Sequence, residues 1–125
     1  VRKLEELKKV IKHMRSASQD IKGAIIARVD GLPIVSDLPK GVDPKRIAAT
    51  SATLLGTAQT SCKEIKAGEC KVIIIESEEG KLISMAAGEL AVLSCLVKQR
   101  ANLGFVLLLM ERASARIEKM VKGIG

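Results

Sequence analysis

Leu4, Leu7, Val10, Ile11 and Met14 recur at helical spacing between Lys3, Glu5, Lys8, Lys9, Lys12 and Arg15, which predicts an amphipathic helix over residues 2–18. The period then shortens. Gly23–Val29 is brief and β-branched, and Asp30-Gly31 after it supplies the backbone angles of a tight hairpin, with Leu32–Val35 as the return strand. Asp43-Pro44 joins a capping carboxylate to a residue suited to a first helical turn, so a helix is predicted from about 44 to 67, stopped by Gly68. Residues 70–77, 81–87 and 89–97, separated by Glu79-Gly80 and by Gly88, read as a three-strand antiparallel meander. Leu103, Val106, Leu107, Met110, Ala113, Ile117 and Val121 mark one face of a last helix, capped by Asn102 and ended by Gly123.

The predicted order is αββαβββα. Apolar residues occupy both alternation faces of 23–26, 72–75 and 91–97, so both sides of the sheet need cover. This predicts a three-layer α/β (α+β) fold, a single domain over 1–125. Its five-stranded antiparallel sheet has order 2-1-5-4-3, with the long helix on one face and the terminal helices on the other. Phe105–Met110 is apolar all round and is expected to wedge between the sheet and the first helix.

Two features are out of the ordinary. The second helix carries no charge from Ile47 through Cys62, sixteen positions, although about half of a surface helix faces water. At about 100° per residue, Ile47, Leu54, Ala58 and Ile65 form the stripe expected against the sheet. Ala48, Ala52, Leu55 and Gln59 form its flank, and Ala49, Thr53, Gly56 and Thr60 its back. Small side chains permit close approach, and a helical glycine costs about 1 kcal/mol relative to alanine unless contact compensates. The second feature is at the sheet borders. Pro33 and Asp37 blunt the 32–36 strand, whereas Val72, Ile73, Ile74 and Ile75 have no proline, glycine or charge among them. One arrangement explains both: a homodimer whose sheets join antiparallel through residues 71–76, bringing the two copies of the second helix together.

Composition narrows the function. The chain has 125 residues, 47% of them apolar, enough for a core. No apolar stretch is long enough to span a bilayer and the first residues are charged, so neither membrane insertion nor secretion is expected. The net charge of +7 is uneven, with residues 1–22 and 98–125 each at +4 and the middle at −1. Nonspecific nucleic-acid or anionic-surface binding through the terminal helices is therefore an alternative function. Phe105 is the single aromatic, which argues against specific nucleic-acid recognition by base stacking. A small-molecule sensor is a further alternative, disfavoured because few polar groups converge in the strands.

Catalytic chemistry is not legible. No phosphate-cradling glycine motif occurs in a strand-to-helix context. Cys62, Cys70 and Cys95 lack CxxC spacing, and His13 sits on a cationic helix face, so no metal site of usual spacing assembles. Reduced, packed thiols in a cytoplasm are expected. Glu76, Glu78 and Glu79 cluster at a hairpin tip, where they solubilise the turn.

The chain resembles the Roadblock/dynein light chain family, particularly its small archaeal and bacterial members that regulate Ras-like GTPases. The resemblance rests on G-x-x-I-x-R-x-D-G-x-P-I from Gly23 to Ile34, IAATSATLLGTA at 47–58, E-x-x-x-G-K-L at 76–82, Gly88–Leu93 and Asn102-Leu103-Gly104. It implies a profilin-like, non-enzymatic homodimer without cofactor or metal. Its dimer contacts would fall at Val72–Ile75, Ala48, Ala52, Leu55 and Gln59. Partner contacts with a Ras-like GTPase would fall at Lys45, Ala49, Thr53, Gly56, Thr60 and Lys63. Lys45 or Arg46 as a charge donor to a GTPase transition state is a weaker reading than solvation of the helix start.

Overall fold

The computed structural model describes residues 2–122. Helix α1 (Arg2–Ala17) buries Leu7, Val10, Ile11 and Met14, the stripe its spacing dictates. Strands β1 (Ile21–Arg28) and β2 (Pro33–Asp37) form the first hairpin, whose turn closes through Gly31 N donating to Arg28 O (2.9 Å) and Arg28 N to Leu32 O (2.8 Å). Gly31 has φ +97°, an angle that L side chains rarely adopt.

Helix α2 (Pro44–Glu64) is capped by Asp43, whose Oδ1 accepts from Lys45 N at 2.9 Å. It ends earlier than Gly68 predicts. Ala67 N donates to Cys62 O and Lys66 N to Lys63 O, with Lys66 at φ +57°. This is a Schellman closure in which a lysine holds the left-handed position usually given to glycine.

Strands β3 (Ile73–Glu76), β4 (Gly80–Ala87) and β5 (Ala91–Lys98) form the meander, and α3 (Leu103–Val121) follows. Asn102 Oδ1 accepts from Phe105 N at 3.2 Å as the α3 cap. The expected stop at Gly123 lies outside the described residues. The sheet is antiparallel with order β2-β1-β5-β4-β3, as the pattern predicts. β3 is shorter than predicted, because residues 70–72 leave the ladder.

The two faces are unequally filled. Between the sheet and α1/α3 lies the main core, which includes Ile26, Ile83, Leu93, Cys95, Val106 and Ile117. The α2 side has a smaller cluster of Ile25, Ala27 and Ala48, with Leu38 and Ile47 partly buried against them. Three serines complete that layer. Ser84 Oγ and Ser94 Oγ lie 2.6 Å apart, and Ser94 Oγ donates to Ser51 Oγ at 2.8 Å. All three are buried.

The run Phe105–Met110 departs from expectation. Val106 and Met110 are fully buried, but Phe105 and Leu108 are 40% and 41% exposed. The helical period places those two on the side of α3 away from the core.

Candidate interaction site

Helix α2 sits one position round from the predicted orientation. The buried stripe is Ala48, Ser51 and Leu55; Ile47, Leu54 and Ala58 flank it, and Ile65 is past the helix end and 73% exposed. Ala48 and Ser51 are small where the helix lies closest to the sheet, a closeness the buried serine hydrogen bonds require. Ala48, expected at a dimer interface, is therefore wholly covered within its own subunit, and Leu55 retains 7% exposure. Their part is to seat the helix.

The outward face is unusually bare. Ala49, Thr53, Gly56 and Thr60 are exposed, while Ala52 and Gln59 are half-buried. The threonine hydroxyls turn back onto the helix. Thr53 Oγ1 donates to Ala49 O at 2.9 Å, Thr60 Oγ1 to Gly56 O at 3.2 Å, and Thr50 Oγ1 to Arg46 O. Their polar capacity is thus partly used internally, leaving methyl groups to present. A Cβ at Gly56 would meet nothing within 4 Å, so packing inside the subunit gives no reason for this glycine. Lys45 and Lys63 are exposed at the two ends of the bare stretch. Arg46 is a solvated side chain, 89% exposed and 3.9 Å from Asp43.

The neighbouring sheet border is β3. Ile74 and Ile75 are 40% and 38% exposed, and Val72 and Ile73 are half-buried. β3 pairs with β4 only up to Ile73↔Ser84, so among the described residues Met85–Ala87 have no strand on their outer side. There a cleft of about 880 Å³ opens, lined by Ala52, Leu55, Gly56 and Gln59 of α2 together with Val72, Met85 and Leu107. The charge-free helix lines this cleft, whereas of the bare stretch only Val72, just before β3, reaches it. Lys45 and Ala49 lie outside this cleft, and Ala49 sits beside Gly31 of the first hairpin. Glu69, Glu89, Glu111 and Glu118 also line the cleft, opposed by Lys71.

Sequence spacing missed one contact. Gln59 Oε1 accepts from Cys70 N at 3.0 Å, which draws the chain after α2 back onto the helix and brings the Cys70 thiol against Cys62, one turn on from Gln59. Burial, then the adjoining Cys62, push the Cys70 thiol above its ordinary pKa, while a hydrogen bond with the Val72 backbone opposes them. Burial pushes the Cys95 thiol up to about 12, against a small opposing effect of Arg15. All three cysteines are free. His13 is exposed on α1, and Glu76, Glu78 and Glu79 are exposed around the β3–β4 turn. Among the described residues, no group of three His, Cys, Asp or Glu side chains is placed to hold a metal ion, and no helix is long and apolar enough to cross a membrane.

Comparisons with known proteins agree with this geometry. Residues 9–97 match the Roadblock/LC7 domain. An uncharacterised protein of Methanocaldococcus jannaschii, MJ1340, is 35% identical over 103 residues, covering 82% of this chain and 90% of its own length. Among solved structures, MglB of Myxococcus xanthus superposes with TM-score 0.87 at 20% identity, covering 98% of this chain and 92% of that one. An MglB described in a tetrameric arrangement gives 0.89 at 19%, covering 96% and 90%. Acanthamoeba castellanii profilin IA gives 0.62 at 12%, covering 89% and 95%, which puts the sheet and its two helical layers in the profilin-like class. The chain belongs to the Roadblock/LC7 family.

Proposed function

We propose that this protein is a non-enzymatic homodimer that binds a Ras-like GTPase and modulates its nucleotide cycle. The observation that carries the reading is the outward face of α2, charge-free and small, with threonine hydroxyls turned inward and Gly56 facing open space, beside a border strand with exposed Ile74 and Ile75. A lone subunit gains nothing from that combination. Antiparallel pairing of β3 with its own copy satisfies the open strand edge and sets the two α2 helices side by side on one face of a continuous sheet.

On this reading Val72–Ile75, Ala52 and Gln59 make the dimer contact, and Lys45, Ala49, Thr53, Gly56, Thr60 and Lys63 meet the GTPase. Family membership and the tetrameric arrangement of one MglB structure support it. Arg46 has no catalytic part in it; loss of GTPase stimulation in Arg46→Ala would restore the charge-donor reading. The protein works in the cytoplasm, where reducing conditions keep Cys62, Cys70 and Cys95 as thiols.

The test is affinity capture of the host's Ras-like GTPases, each loaded with GDP or a non-hydrolysable GTP analogue. The wild type retains a GTPase and Gly56→Arg loses at least about tenfold in affinity, a change of about 1.4 kcal/mol, with its thermal transition unchanged. Retention of no GTPase in either state, or equal retention by Gly56→Arg, contradicts the reading.

A further inference from the structure

Helix α3 sorts its exposed side chains by chemistry. Val106, Met110, Ala113 and Ile117 point into the core, which fixes the direction of every other residue on the helix. Glu111 and Glu118 fall on the flank lining the cleft. The side turned from the core carries Phe105, Leu108, Arg112, Arg116 and Lys119, with no acidic residue among them. Arg112 and Arg116 are one turn apart, a like-charge spacing that weakens a helix, and neither has a salt-bridge partner among the described residues.

The adjoining helix adds to this surface. α1 packs beside α3 on the same face of the sheet, and its Lys8, Lys9 and Lys12 are exposed. Of these only Lys9 has an acidic partner among the described residues, Glu6 at 3.6 Å. The chain's single aromatic, Phe105, is 40% exposed, where burial would have strengthened the core. Cations that, apart from Lys9, have no acidic partner among the described residues, set around projecting apolar side chains, are a poor arrangement for a face that meets only water.

We propose that the α1/α3 face docks the protein peripherally on an anionic lipid bilayer, its arginines and lysines against lipid phosphates and Phe105 and Leu108 in the headgroup boundary. Nucleic acid would match the cations but gives projecting aliphatic side chains no apolar medium, so the bilayer fits both halves of the surface. Each subunit carries the face whether or not it dimerises. Where the dimer reading also holds, the two-fold axis stands perpendicular to the sheet, so both subunits present their α1/α3 layers on one side and α2 on the other.

The experiment is flotation of the full chain with vesicles of phosphatidylcholine mixed with phosphatidylglycerol, against pure phosphatidylcholine, at rising salt. The protein floats with the anionic vesicles only, and raised salt releases it. Arg112→Gln with Arg116→Gln lowers partitioning about thirtyfold, from roughly 1 kcal/mol per charge near the surface. Phe105→Ser with Leu108→Ser lowers it about tenfold while leaving retention on duplex DNA unchanged. Circular dichroism checks that both variants fold, and Gly56→Arg floats as the wild type does, which separates this face from the GTPase site. Equal partitioning onto pure phosphatidylcholine, no flotation with anionic vesicles at low salt, or wild-type flotation by the Phe105/Leu108 variant overturns the proposal.

Discussion

Ser94 in β5 donates to Ser51 in α2 across 43 residues of sequence, at 2.8 Å, and this bond with its continuation to Ser84 ties the long helix to the middle of the sheet. A chain of buried hydroxyls stabilises only while every member has a partner. Ser94 is the central member. Ser94→Ala is expected to cost about 2 kcal/mol, since it strands two buried hydroxyls, and Ser51→Ala about 1 kcal/mol. Urea unfolding of the two variants measures this, and a smaller loss for Ser94→Ala would remove the serine chain from the account.

Lys66 holds a left-handed conformation at the end of α2, which costs an L residue roughly 1 kcal/mol. Glycine relieves that strain and gives part of it back through the greater freedom of the unfolded chain. Lys66→Gly is therefore expected to stabilise the protein by about 0.5 kcal/mol, read as a higher urea midpoint with unchanged slope.

The Cys95 thiol is fully buried and its pKa is raised from 9.0 to about 12. Unfolding frees it to ionise near its ordinary value, so between these two values the unfolded chain binds fewer protons than the folded one. The contribution of this thiol is complete below pH 9.0 and is lost as the pH rises toward about 12. Unfolding midpoints across that range should fall more steeply for the wild type than for Cys95→Ala, and parallel curves would contradict this.

Much of the fold is legible in local chemistry. Asp30-Gly31, Asp43-Pro44 and Asn102 each do what their residue types dictate at a turn or helix start, and strand lengths with both faces apolar lead to the sheet order. The orientation of α2 is not legible, because side-chain size points to burial of a different stripe. Ile47 and Leu54 outweigh Ala48 and Ser51 on any hydropathy scale, yet where the helix lies close over strands that carry Ala27, Ser84 and Ser94 it is the small Ala48 and Ser51 that fit beneath it. The start of β3 is misread for a similar reason. Cys70–Val72 have strand composition, but Gln59 takes the Cys70 amide, a tertiary bond with no trace in periodicity. Of the candidate interface, the bare helix and the bare strand are both visible in sequence; that the helix and Val72 share one cleft depends on the crossing of α2 over the sheet.

The central claim is that β3 and α2 together meet a second copy of the chain. Sedimentation velocity at tens of micromolar tests it most directly, comparing wild type with Ile74→Lys, a charge placed on the open strand where a solvated side chain costs the subunit little. The account predicts a wild-type species of twice 13.4 kDa and a variant that sediments as the single chain with an unaltered circular dichroism spectrum. A wild type that sediments as one chain at that concentration, or a variant as dimeric as the wild type, would contradict it.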